Sequence, residues 1–166
     1  MIPPVLIFAI GNESRGDDAL GPLLLRELDI CLKANNLSDK FELLEDFQLQ
    51  IEHAMDMKDR ELVLFIDAGM NTLSPFSFYR AQPNDEPVLY SHALMPEALL
   101  KVYTQFYHEA SPDAFILCIR GDLFELGEPL TPQAEANLAS ALRFAQRLLL
   151  EPEAASWDGQ NTLTST

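Results

Sequence analysis

The residues with the clearest chemical potential are carboxylates that follow short apolar runs. Asp17 and Asp18 close the polar stretch Gly11-Asn12-Glu13-Ser14-Arg15-Gly16, and Asp67 directly follows Leu62-Val63-Leu64-Phe65-Ile66. Carboxylates brought together from two such places can share a cation or exchange a proton, and one added imidazole gives an O,O,N donor set of hard-to-borderline character. Three histidines are available. His53 lies in a short helical stretch and reads as a surface or packing residue. His108 ends a helical stripe and reads as its C-terminal cap. His92, in Tyr90-Ser91-His92-Ala93-Leu94, stands in a loop just before a helix and is the best placed of the three as a ligand. HExxH is absent, which excludes a zincin.

Other chemistries fit poorly. A dinucleotide fingerprint needs G-x-G-x-x-G, and this loop has Ala9, Gly11 and Ser14 at those places, with no G-K-[ST]. Acidic residues at the start of the following helix satisfy its dipole and repel a phosphate. The nucleophile elbow G-x-S-x-G is missing, because Ser14 lies out of frame in G-N-E-S-R-G. Cys31 and Cys118 are far apart with no CxxC spacing, and each falls in an apolar stretch, so both read as small buried hydrophobes.

The elements that must position these groups alternate along the chain. Val5–Ile10, Phe41–Leu44, Leu62–Ile66 and Ala114–Ile119 are apolar runs of the kind found in strands covered on both faces. Leu20, Leu24, Leu25, Leu28 and Leu32 form a helical stripe, with Asp17 or Asp18 as its N-cap and Pro22 tolerated in the first turn. Ile51–Met57 and Leu94–Tyr107 have helical spacing. Thr131-Pro132 opens a last helix over Gln133–Leu150. Pro75–Ala81 alternates as an edge or hairpin strand does, with a possible partner near Val88–Tyr90. The expectation is an α/β three-layer sandwich, a mostly parallel twisted sheet with helices on both faces. In such a sheet ligands bind beyond the carboxyl ends of the strands, so the acids after Ile10 and Ile66 should converge there. Residues 1–150 read as a single domain and 151–166 as a polar, disordered tail.

The chain has 166 residues, enough for one domain with a sizeable core, and 48% of them are hydrophobic. Acidic residues number 26 against 11 basic ones, a formal net charge of −15. Such a field repels phosphate backbones and anionic membranes and suits a cation or a basic partner, although acidic compositions are also ordinary. The N-terminal Met1-Ile2-Pro3-Pro4 lacks the basic region of a secretory signal, and every apolar run is too short to cross a bilayer. The expected location is therefore cytoplasmic.

Together these residues resemble a known family. Ala9-Ile10-Gly11-Asn12 followed by Asp17-Asp18-Ala19-Leu20-Gly21 is similar to the N-terminal G-x-G-N…D-[DE]-x-x-G signature of the [NiFe]-hydrogenase maturation endopeptidases. Val63–Ala68, Ser91–Leu94 and Leu130–Pro132 resemble that family's strand-to-Asp, histidine and last-helix motifs, in the same order. Glu45–His53 is especially similar to the branch serving bidirectional NAD(P)-linked hydrogenases.

The resemblance implies an aspartic-type endopeptidase that removes a C-terminal extension from the hydrogenase large-subunit precursor. Asp18, Asp67 and His92 would engage nickel that arrives with that substrate, and no permanently bound cofactor is implied. Asp18 stands where the family often has Glu. An oxygen there falls roughly 1.5 Å short by bond geometry, and Asp17 is open to share the role. Arg15, flanked by acids, reads as a screened surface charge in preference to a contact to the substrate, and Asp46–Gln50 reads equally as part of a substrate groove or as a loop entering a helix. Two rivals carry different expectations: a non-catalytic metal-checking or precursor-binding protein on the same fold, and an unrelated small-ligand-binding α/β domain.

Overall fold

Six unbroken apolar residues, Val5–Ile10, form strand β1, and every one of them is buried. The computed structural model describes residues 1–84 and 94–162. Beside β1 lie β2 (Phe41–Asp46), β3 (Leu62–Gly69), β4 (Phe76–Ala81) and β5 (Asp113–Arg120), in the order β2-β1-β3-β5-β4. All pairings are parallel except that of the edge strand β4, which runs antiparallel to β5. The helices are α1 (Leu20–Ala34), α2 (Pro96–Tyr107), α3 (Pro132–Leu150) and α4 (Ala154–Asp158).

The period-2 pleat divides each buried strand between two cores. Ile7, Ala9, Leu64, Ile66, Phe115 and Leu117 face the α1, α3 and α4 layer. Leu6, Phe8, Val63, Phe65 and Ile116 face α2 and the 3-10 turn Ile51–Met57. Continuous apolarity is thus what a strand covered on both faces requires, and the three-layer expectation is met. Thr131 caps α3, accepting the Ala134 N–H at 3.2 Å, with Pro132 at the first helical position. His108 closes α2 in the left-handed conformation.

The structure corrects several expectations. The N-cap of α1 is Ala19, with no side-chain bond, because Gly16–Ala19 form a 3-10 turn that carries both acids ahead of the helix. Both cysteines are half-buried. The expected partner strand near Val88–Tyr90 lies outside the described residues.

The tail is ordered as far as it is described. Trp157 is 1% exposed against Phe78 and Phe115, and its indole N–H donates to the Leu148 carbonyl at 2.9 Å. Asp158 accepts from Nε and Nη2 of Arg80, whose Nη1 donates to Asp113, and Thr162 exchanges bonds with the Phe78 backbone at 2.7 and 2.9 Å. A five-residue helix is too short to show a periodicity, so one large ring carries the whole docking signal. Trp157→Phe, which keeps a ring but loses the indole hydrogen bond, is expected to cost about 1–2 kcal/mol. Thermal denaturation should show a midpoint lower by roughly 2–4 °C for each kcal/mol lost.

Candidate active site

After β1 the chain crosses to β2 on one side, and β3 then pairs on the other side of β1. The order reverses there, and a crevice opens beyond the strand ends at such a switch point. Two glycines build it. A Cβ on Gly21 would stand 2.6 Å from the Ile10 carbonyl oxygen and 3.1 Å from that of Ile66, so α1 starts directly over the gap between β1 and β3. Gly11 has φ +148°, and a Cβ there would stand 2.0 Å from the Asp18 carbonyl oxygen. The turn leaving β1 therefore folds tightly enough to bring Asp18 back over the sheet edge.

Asp18 and Asp67 line one cleft of about 430 Å³, with Phe47, Gln48 and the segment Ala68–Asn71 as its walls. Asp18 is half-buried and accepts the Asn12 N–H at 2.7 Å. Burial raises its pKa, while that N–H and the Arg15 charge oppose the shift. Asp67, near the end of β3, accepts the adjacent Ala68 N–H at 2.8 Å. Burial pushes its carboxyl up to about 7 against that bond, and the nearby Asp18 charge adds to the effect. The two carboxylates thus differ in proton affinity, and one of them titrates near neutrality.

Asp17 does something else. It is fully buried, and its carboxylate accepts the N–H groups of Asp122, Leu123 and Thr131 and the Thr131 hydroxyl at 2.8–3.2 Å. Burial alone would raise its pKa, but these donors outweigh it and hold the carboxyl below the usual range. With its oxygens committed to the 122–131 segment, Asp17 does not share the cleft, and Asp18 stands there alone of the pair.

His53 packs its ring edge-on to Phe8, accepts the Gln50 N–H at Nδ1 and places Nε2 3.2 Å from Asp46, so it is a packing residue. His92 lies outside the described residues. Among the described residues no three His, Cys, Asp or Glu side chains gather as a metal-holding group. Phe47 and Gln48, from the segment Asp46–Gln50, border the cleft. Met70, Asn71 and Phe124 were missed, since nothing in their local pattern distinguishes them from ordinary loop residues.

Asp67 gives a testable pH dependence. In the fold it keeps its proton to about pH 7, whereas the unfolded chain releases it near 3.8, so native stability falls as pH rises across that interval. Asp67→Asn retains an acceptor for the Ala68 N–H and carries no charge. It is expected to stabilise the fold above pH 7 by an amount on the order of 4 kcal/mol at most, with the gain shrinking as pH falls toward 4. Thermal scans across that range check it.

The five-stranded, mostly parallel sheet with helices on both faces is a fold represented among solved structures by hydrogenase maturation proteases. One is the [NiFe] hydrogenase maturation protease HycI from Thermococcus kodakarensis KOD1, at TM-score 0.68 and 18% identity over 90% of this chain and 94% of that one. Another is the hydrogenase maturating endopeptidase HybD from E. coli, at TM-score 0.67 and 21% identity, covering 89% of this chain and 93% of that one. An endopeptidase from Escherichia coli matches at TM-score 0.65 and 23% identity, again over 89% and 93%. No protein-family model and no curated protein matches the chain. At these identities the similarity establishes the fold.

Proposed function

We propose that this protein is an endopeptidase that removes the C-terminal extension of a nickel-loaded [NiFe]-hydrogenase large-subunit precursor. The observation that carries the reading is the pairing of Asp18 and Asp67 in one cleft, on a fold shared with solved hydrogenase maturation proteases. Asp18 and Asp67, with His92 from the sequence motif, would meet nickel already held by the precursor. Three protein donors of O,O,N type leave coordination positions open for the substrate's own ligands. As an alternative to holding nickel, Asp67 would serve as general base, accepting a proton from the attacking water and returning it to the leaving amine. Hydrolysis then adds one water across the peptide bond. Nickel polarising the scissile carbonyl would lower the barrier further.

The site needs no resident cofactor on this reading. The Glu45–His53 segment, part of which borders the cleft, favours the precursor of a bidirectional NAD(P)-linked hydrogenase. The net charge of −15 disfavours nucleic-acid partners. No helix among the described residues is long and apolar enough to cross a membrane, and the proposed place of action is the cytoplasm.

The test incubates purified protein with nickel-loaded and nickel-free precursor and reads the precursor mass. Loss of a C-terminal peptide from the loaded form alone is the expected result. Cleavage of both forms would remove nickel recognition from the reading. Stable binding of the loaded form without cleavage would make the chain a precursor-binding protein.

A further inference from the structure

A second hollow, of about 800 Å³, lies over the ends of β3 and β5 and against β4. It shares Gly69, Met70 and Asn71 with the carboxylate cleft, so the two form one trough across the sheet edge. The outer wall is preformed. Arg120 donates to the Thr72 carbonyl at 3.1 Å, the Gly121 N–H donates to the Gly69 carbonyl at 3.0 Å, and the Thr72 and Ser77 hydroxyls pair.

The lining has mixed chemistry. Met70 and Leu73, at the rim, are 54% and 59% exposed. Asn71 and Tyr79, which carry a carboxamide and a phenol, line the same trough. An apolar rim beside amide- and hydroxyl-bearing residues matches an extended polypeptide, which offers side chains and backbone N–H and C=O groups in alternation.

We infer that this outer hollow is the subsite for the stretch of substrate polypeptide on one side of the scissile bond, bound extended across the strand ends with apolar side chains against Met70 and Leu73. The inference rests on the peptidase reading for the location of the bond at Asp18 and Asp67. Strands are about 4.8 Å apart and an extended chain advances about 3.3 Å per residue, so the path from β3 past β5 to β4 spans roughly three residues.

The experiment incorporates p-benzoylphenylalanine in place of Leu73, an exposed position, and irradiates the protein with nickel-loaded precursor. Crosslink position and precursor cleavage are read by mass spectrometry in the same sample. The expected result is cleavage, with crosslinks confined to about four residues on one side of the cut bond, by the strand spacing above. Cleavage with no crosslink, or with crosslinks elsewhere on the precursor, overturns the subsite and leaves the peptidase standing. Crosslinks to the C-terminal segment without cleavage keep the groove and overturn the peptidase. With neither, both fall. Leu73→Glu gives the kinetic counterpart: KM is expected to rise about tenfold with kcat within about twofold, the loss of one apolar contact, and an unchanged KM overturns the subsite.

Discussion

Asp17→Ala is expected to destabilise the native state by about 4 kcal/mol or more, the largest stability effect of any single change outside the hydrophobic core. The carboxylate accepts four hydrogen bonds in a site closed to water. Bonds to a charged acceptor contribute more than neutral ones, and removing this acceptor leaves three backbone N–H groups and a hydroxyl without it. Asp17→Asn should be nearly as damaging, because its NH2 faces at least one of the same donors. The pH profile identifies the cause. A carboxyl held below its ordinary value stabilises the fold above the unfolded pKa near 3.8, and that contribution is lost as pH falls through the folded pKa. The gap between wild type and variant in a denaturant titration should therefore be full at pH 7 and close in strong acid. A gap independent of pH would show that packing, and not the charge, is what the substitution removes.

The largest effect on activity is expected from Asp67→Ala and His92→Ala, each reducing cleavage of nickel-loaded precursor by roughly 10²–10⁴-fold, the range typical of a lost general acid–base group. For Asp67 the result separates cleanly from misfolding. Burial raises its pKa, so an ionised Asp67 works against the fold at neutral pH, and the variant should melt no lower than wild type above pH 7. Full cleavage by Asp67→Ala would remove that carboxylate from the mechanism. Full cleavage by His92→Ala would remove the imidazole and leave a two-carboxylate site.

The layered fold was legible because its strands advertise it. Val5–Ile10 and Leu62–Ile66 are apolar at every position, which only a sheet covered on both faces can use, and Thr131-Pro132 marks the start of α3 in two residues. The meeting of Asp18 and Asp67 followed from topology, since both leave neighbouring strands on the same side of a switch point. What stayed hidden depends on contacts distant in sequence. The division of labour between Asp17 and Asp18 is decided by residues 122–131, more than a hundred positions away. The hollow over β4 exists because β4 joins β5 antiparallel, a pairing that the alternation of Phe76, Phe78 and Arg80 does not specify. The docking of Trp157 likewise has no local signature.

That docked tail has a consequence for handling the protein. Through Thr162 the chain occupies the hydrogen-bonding positions of Phe78 on the outer side of β4. A chain shortened ahead of Trp157 would leave the Phe78 N–H and carbonyl without these partners and, beside them, the rings of Phe78 and Phe115 stripped of the indole's cover. Its failure should then be self-association, strand against strand between copies, growing with concentration in light scattering even where the remaining fold is intact. The segment from Trp157 to Thr162 thus acts as a guard on solubility, and an affinity tag is better placed at the amino end.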